Sequence, residues 1–82
     1  MVLTVRYFAA ARAAAGTDGV VLDVDDTVTL GELEALLGER HPRLAPVLAR
    51  CSYLRDAAAF CDRDRRLGAC STLDVLPPFA GG

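Results

Sequence analysis

Lysine is absent from this 82-residue chain, whose nine basic side chains are all arginine. That removes Schiff-base chemistry and any side-chain acceptor within the chain for an isopeptide bond. Metal-site spacing is missing too. Cys51, Cys61 and Cys70 are odd in number and far apart, with no Cys-x-x-Cys, and His41 is the only histidine. A tetrahedral zinc site within one chain is not expected from that donor set, and nothing local couples a cysteine nucleophile to His41. The cysteines therefore read as small apolar fillers in a reducing compartment. His41, beside Pro42, reads as a helix-end or surface residue.

Long hydrophobic runs are also lacking. No stretch reaches the length of a membrane span, and the start has no basic region followed by an apolar signal segment. A soluble, cytoplasmic protein is expected. Positive charge is in deficit: nine basic residues stand against eleven acidic ones, a net charge of -2. The only basic cluster, Arg63, Arg65 and Arg66, is flanked and interrupted by Asp62 and Asp64. It reads as a solvated hairpin or loop, and a nucleic-acid surface is not expected.

What is present is apolar: 52% of the residues are hydrophobic, enough for one small packed domain. Val2 to Phe8 reads as a strand with Leu3, Val5 and Tyr7 on one face and Thr4 and Arg6 on the other. Ala9 to Ala15 reads as a short helical turn stopped by Gly16. Gly19 to Val24 is a second strand, antiparallel to the first, with Val20, Leu22 and Val24 alternating against Val21 and Asp23. Thr29 and Glu32 form a capping-box pattern ahead of the main helix, whose apolar stripe is Leu30, Leu33, Leu36 and Leu37. Gly38 weakens the end of that helix, and Pro42 limits it. A short helix is expected from Arg43 to Ala49, with Leu44, Val47 and Leu48 inward. Leu54 to Phe60 reads as a strand, Asp62 to Asp64 as a turn and Arg65 to Leu67 as the start of a returning strand. Leu73 to Pro77 is the last strand, with Leu73 and Val75 inward and Leu76 facing away.

One helix cannot bury its stripe alone, but it can cover one face of a sheet. The order therefore predicts an α+β fold of the β-grasp, ubiquitin-like type. A mixed four- to five-stranded sheet would be covered by one main helix and short helical turns, with the last strand beside the first. Residues 1–77 form the domain and residues 78–82 an extended C-terminal tail.

That tail is Pro78-Phe79-Ala80-Gly81-Gly82. If Gly82 ends the natural chain, its main-chain carboxylate sits at the tip of an arm thin enough for a narrow channel, because glycine has no Cβ. The structural alternative is a frayed end without function. Pro77 and Pro78 bias the arm toward an extended form. Residues 78 to 82 can reach about 15 Å at ~3.3 Å each. Gly82 is the candidate reactive residue; Pro78, Ala80 and Gly81 would pass into the partner's channel, and Leu76, Pro77 and Phe79 would touch a partner.

Two segments carry a resemblance to a known family. Val5-Arg6-Tyr7-Phe8-Ala9-Ala10-Ala11-Arg12, with the alanine run to Gly16, resembles the opening of the MoaD/ThiS sulfur carriers. Asp74-Val75-Leu76-Pro77-Pro78-Phe79-Ala80-Gly81-Gly82 resembles their ending, most nearly that of molybdopterin synthase small subunits. Gly68-Ala69-Cys70-Ser71-Thr72 departs from the Asp-Gly-Asp type of turn often found before the last strand, and Phe60 to Arg66 is unusually charged. The resemblance implies a carrier that is not an enzyme on its own and binds no permanent cofactor. It implies that a ubiquitin-activator-like adenylyltransferase uses ATP to join Gly82 to AMP, and that a persulfide donor then leaves a thiocarboxylate. The loaded tail would enter a MoaE-like large subunit of molybdopterin synthase and give its sulfur to a pterin precursor in molybdenum cofactor biosynthesis. Sulfur carriage toward thiamine, cysteine or tRNA, modification of lysines on other proteins, and an inert interaction module remain the alternatives. The thiamine carriers tend to be shorter and to lack the double proline.

Overall fold

Apolar residues at every second position from Leu3 to Tyr7 make Val2–Tyr7 the first strand, β1. Leu3, Val5 and Tyr7 are almost fully buried, whereas Arg6 on the opposite face is exposed. The structure, a computed structural model, describes residues 1–78. The alanine run forms helix α1 (Ala9–Ala15) and ends at Gly16 in the left-handed region, φ 74°, where its N–H donates to the Arg12 carbonyl. Strand β2 (Gly19–Asp23) returns antiparallel to β1, pairing Thr4 with Val21 and Val2 with Asp23.

Helix α2 (Leu30–Arg40) starts on the expected capping box, with Thr29 and Glu32 bonded reciprocally. Its next two amides are satisfied from a distance: Leu30 N–H donates to the Arg65 carbonyl and Gly31 N–H to that of Arg63. A Cβ at Gly31 would stand 3.2 Å from the Arg63 oxygen, so any other residue would push the loop back by a few tenths of an ångström. The helix runs through Gly38 to Arg40, and His41 is its C-cap as expected, its N–H donating to the Leu37 carbonyl. Leu30, Leu33 and Leu37 are buried, but Leu36 is 39% exposed. The stripe is thus narrower than the sequence suggested, because Leu36 lies about a quarter turn away from the line through Leu33 and Leu37.

Helix α3 is shorter than expected, Ala45–Leu48, with Leu44 and Leu48 buried and Val47 half-buried. The predicted strand from Leu54 to Phe60 is instead a hairpin. Strand β3 (Ser52–Arg55) turns at Asp56 and Ala57, φ 45° and 70°, into the two-residue strand β4 (Ala58–Ala59). Two consecutive positive φ values are what a tight hairpin requires, and alanine conceals them from a sequence reading. The predicted strand at Arg65–Leu67 is absent among the described residues. Only an isolated bridge joins Arg66 to Thr29, because this segment spends its backbone groups on the start of α2.

Strand β5 (Thr72–Leu76) lies between β1, to which it is parallel, and β3, to which it is antiparallel. The sheet order is β2-β1-β5-β3-β4. The helices cover one face, and Leu3, Val5, Leu33, Leu37, Tyr53, Leu73 and Val75 share the single core with Phe60 and Leu67 from the long loop. The expected β-grasp architecture holds. Cys51 is buried as a filler should be and Cys70 is half-buried, but Cys61 is exposed, which corrects the reading of all three cysteines as core residues.

Candidate functional site

The candidate site is the downstream end of β5. The parallel β1·β5 ladder pairs Arg6 with Asp74 and Tyr7 with Val75, and Phe8 N–H extends it by donating to the Val75 carbonyl at 3.3 Å. Leu76 pairs with Ser52 and is half-buried. Pro77 then ends the ladder, since it has no N–H to donate. Pro77 is buried against its own domain, whereas Pro78 is exposed. Of the predicted partner contacts, Leu76 therefore offers surface in this chain and Pro77 does not, while Pro78, predicted as part of the tail, is exposed. Phe79, Ala80, Gly81 and Gly82 lie outside the described residues.

The segment leading into β5 is held by two neighbouring side chains from the β3–β4 turn. Asp56 accepts hydrogen bonds from the Ser71 and Thr72 amides at 3.0 and 2.9 Å. Those amides hold its carboxyl below the usual aspartate range. Arg55 donates to the carbonyls of Leu67 and Ala69. Gly68-Ala69-Cys70-Ser71-Thr72, which departs from the turn expected by resemblance, is thus fixed by a cross-loop clamp that the local sequence does not reveal.

Two residues at this end escaped the sequence reading. Arg6 makes a two-pronged ion pair with Asp74, Nε to Oδ1 at 2.6 Å and Nη2 to Oδ2 at 2.8 Å. Asp74 is 7% exposed, the only charged residue among the described ones to be buried. The Arg6 guanidinium also lies 5.6 Å from the Phe8 ring centroid. The available signal was an arginine and an aspartate at outward positions of the two most apolar strands. Their pairing depends on a register between residues 68 apart.

A second cluster sits under α2 and α3. The Tyr53 hydroxyl donates to Glu34 Oε2 at 2.6 Å, and Arg63 Nε donates to Glu34 Oε1 at 2.9 Å. Arg63 Nη2 donates to the Leu48 and Ala49 carbonyls. Burial pushes the Tyr53 hydroxyl well up, and its bond to Glu34 adds to the effect. Burial, with the Glu34 carboxylate nearby, pushes the Cys51 thiol up to about 11. That thiol stays protonated and unreactive at neutral pH. No group of three or more His, Cys, Asp or Glu suited to a metal ion occurs among the described residues. None of their helices is long and apolar enough to cross a membrane.

The geometry defines a class: a ubiquitin-like β-grasp domain whose last strand lies centrally in the sheet and is ended by the buried Pro77. The ThiS family profile matches residues 5–82, and the chain belongs to that family. SAMP1 from Haloferax volcanii superposes with a TM-score of 0.81 at 27% identity, with all of both chains covered. A Pyrococcus furiosus protein assigned as molybdopterin converting factor subunit 1 matches at TM-score 0.80 and 20% identity, over 96% of this chain and 99% of its own. A structure of subunits 1 and 2 of the molybdopterin-converting factor from Helicobacter pylori matches at 0.71 and 23%, over the whole of both chains. These likenesses place the fold with ThiS/MoaD-like sulfur carriers and ubiquitin-like modifiers. No curated protein matches the chain.

Proposed function

We propose that this protein is a sulfur carrier, not catalytic by itself, whose Gly82 carboxylate is adenylated and converted to a thiocarboxylate. It would serve as the small subunit of a molybdopterin synthase. The observation that supports the carrier reading is the family match, which spans residues 5–82 and so includes the terminal glycines. Residues 1–77 act as the handle and residues 78–82 as the part that enters other proteins.

The chemistry follows from the carboxylate. Its charge is spread over two oxygens, so it is a poor acyl donor until an activating enzyme transfers AMP from ATP and releases pyrophosphate. The outer sulfur of a persulfide then attacks the acyl carbon, forming a C–S bond as AMP leaves. Cleavage of the remaining S–S bond by a thiol gives the thiocarboxylate and a disulfide. Gly81 keeps the approach to the reacting carbon free of side-chain bulk. In the large subunit the thiocarboxylate attacks a cyclic pterin precursor. A dithiolene needs two such deliveries, so the carrier is released and reloaded.

A second reading has an observation of its own. SAMP1, described as small archaeal modifier protein 1, is 27% identical to this chain. The same activated glycine could acylate lysines of other proteins. Intact mass spectrometry of the protein from its native host separates the two. Replacement of one terminal oxygen by sulfur supports the carrier, and heavier lysine-linked adducts support the modifier. Adding one residue after Gly82 should leave folding intact and abolish loading by the activating enzyme. Normal loading of that variant would refute chemistry at the terminal acyl group.

A further inference from the structure

The helices leave one face of the sheet uncovered. Across it run Val2, Thr4, Arg6 and Phe8 from β1 and its end, Val21 and Asp23 from β2, and Thr72, Asp74 and Leu76 from β5. Four large hydrophobic residues are exposed among the described ones, and three of them, Val2, Phe8 and Val21, lie on this face. Arg6 stands amid them with its side chain 54% exposed. Its Nε and one Nη2 hydrogen go to Asp74, and among the described residues it makes no other hydrogen bond. A guanidinium has five N–H donors in a planar fork. The edge used by Asp74 is the Nε/Nη2 edge, so the Nη1/Nη2 edge is left for a second carboxylate, held end-on. Asp74 thereby keeps a rotamer-rich side chain pointed at one place, which lowers the entropy lost when a partner arrives.

The position of this fork indicates which partner. Asp74 lies on the strand that becomes the arm, and from Asp74 to Gly82 the chain spans at most about 26 Å at ~3.3 Å per residue. An ordinary interface covers about 800 Å² on each side, a patch about 30 Å across. A protein whose active site holds Gly82 therefore has its footprint within reach of Arg6. Activation of the carboxylate is the step that the carrier and the modifier readings share. We propose that Arg6, oriented by Asp74, is a specificity-determining contact for the adenylate-forming partner, which presents a carboxylate in an apolar surround to the open edge of the guanidinium. This rests on the reading that Gly82 is activated, but not on the pathway it serves.

The chain's lack of lysine makes the test direct. An R6K/D74N variant carries the only side-chain amine of the protein. It is mixed with the purified activating protein of the same organism and ATP, then treated with a zero-length carbodiimide. An amide from position 6 to an aspartate or glutamate of the partner is expected, mapped by mass spectrometry. In parallel, R6L/D74L replaces the ion pair with an apolar cross-strand pair. Its fold is checked by circular dichroism, and its affinity for the activating protein should fall about tenfold or more. Wild-type affinity in R6L/D74L overturns the proposal. So does a position-6 amine that couples only within its own chain while the complex forms normally. Failure of the wild-type protein to be adenylated would instead overturn the reading of Gly82, and this inference with it.

Discussion

The sheet has two faces, and each carries one arginine–carboxylate cluster. Beneath the helices, Tyr53 and Arg63 both donate to Glu34, and Arg63 also reaches the Leu48 and Ala49 carbonyls, although its side chain stays 43% exposed. On the open face, Arg6 and Asp74 make an equally tight pair, but the Arg6 side chain is 54% exposed and makes no other hydrogen bond among the described residues. The first cluster closes the long loop onto α2 and α3. The second offers hydrogen-bonding capacity that the fold does not need. Similar pairs in one small domain therefore do different work, and what distinguishes them is how many parts of the fold the arginine ties together: Arg63 bonds Glu34 and two carbonyls, Arg6 only Asp74.

The comparison can be strained from the apolar side first. Leu33 is fully buried beneath the covered face, and Leu33→Ala should lower unfolding stability by about 2–5 kcal/mol. Val21 on the open face is 64% exposed, and Val21→Ala should change it by less than about 0.5 kcal/mol. Equal losses in denaturant titrations would mean that the open face is held as firmly as the core. Next in size, Glu34→Ala strips partners from both Tyr53 and Arg63 and should cost about 1–3 kcal/mol. A stability indistinguishable from wild type would remove the structural role of the Glu34 cluster.

The Asp56 clamp should appear as a pH effect. Its carboxyl is held low in the folded state by the amides of Thr72 and Ser71. The stabilisation is therefore present above the unfolded-state pKa and lost as pH falls through the folded one. The stability gap between wild type and Asp56→Ala should shrink on acidification, and a gap constant down to strong acid would contradict the clamp. Glu32, lowered by the Thr29 amide, shifts in the same direction and leaves residual pH dependence in the variant. The smallest effect is chemical. Iodoacetamide at neutral pH should label exposed Cys61 first and spare Cys51 until the protein unfolds. Early labelling of Cys51 would show that its face of the core opens readily.

The local elements were legible because each has its own chemical signature. Alternation in Val2–Tyr7, the Thr29/Glu32 box and Gly16 after the alanines all act within a few residues. The split at Asp56-Ala57 was not legible, since alanine gives no sign of positive φ. The absent strand at Arg65–Leu67 was not legible either, because its backbone partners are the amides of a helix start more than thirty positions earlier. The arm could be read only as composition: Leu76, Pro77 and Pro78 are described, with Pro77 buried as a footing, while Phe79 to Gly82 lie outside the described residues.

By itself the sequence determined the β-grasp order of strands and helix, the capped start of α2 and the proline-glycine chemistry of the last residues. These depend on side-chain periodicity, caps and backbone freedom, all short-range. Tertiary structure alone decided that Arg6 would meet Asp74 and that Arg63 would meet Glu34. Alternation can place a side chain on a face but cannot name its neighbour there. That choice belongs to strand register and loop closure, which join residues far apart in the chain.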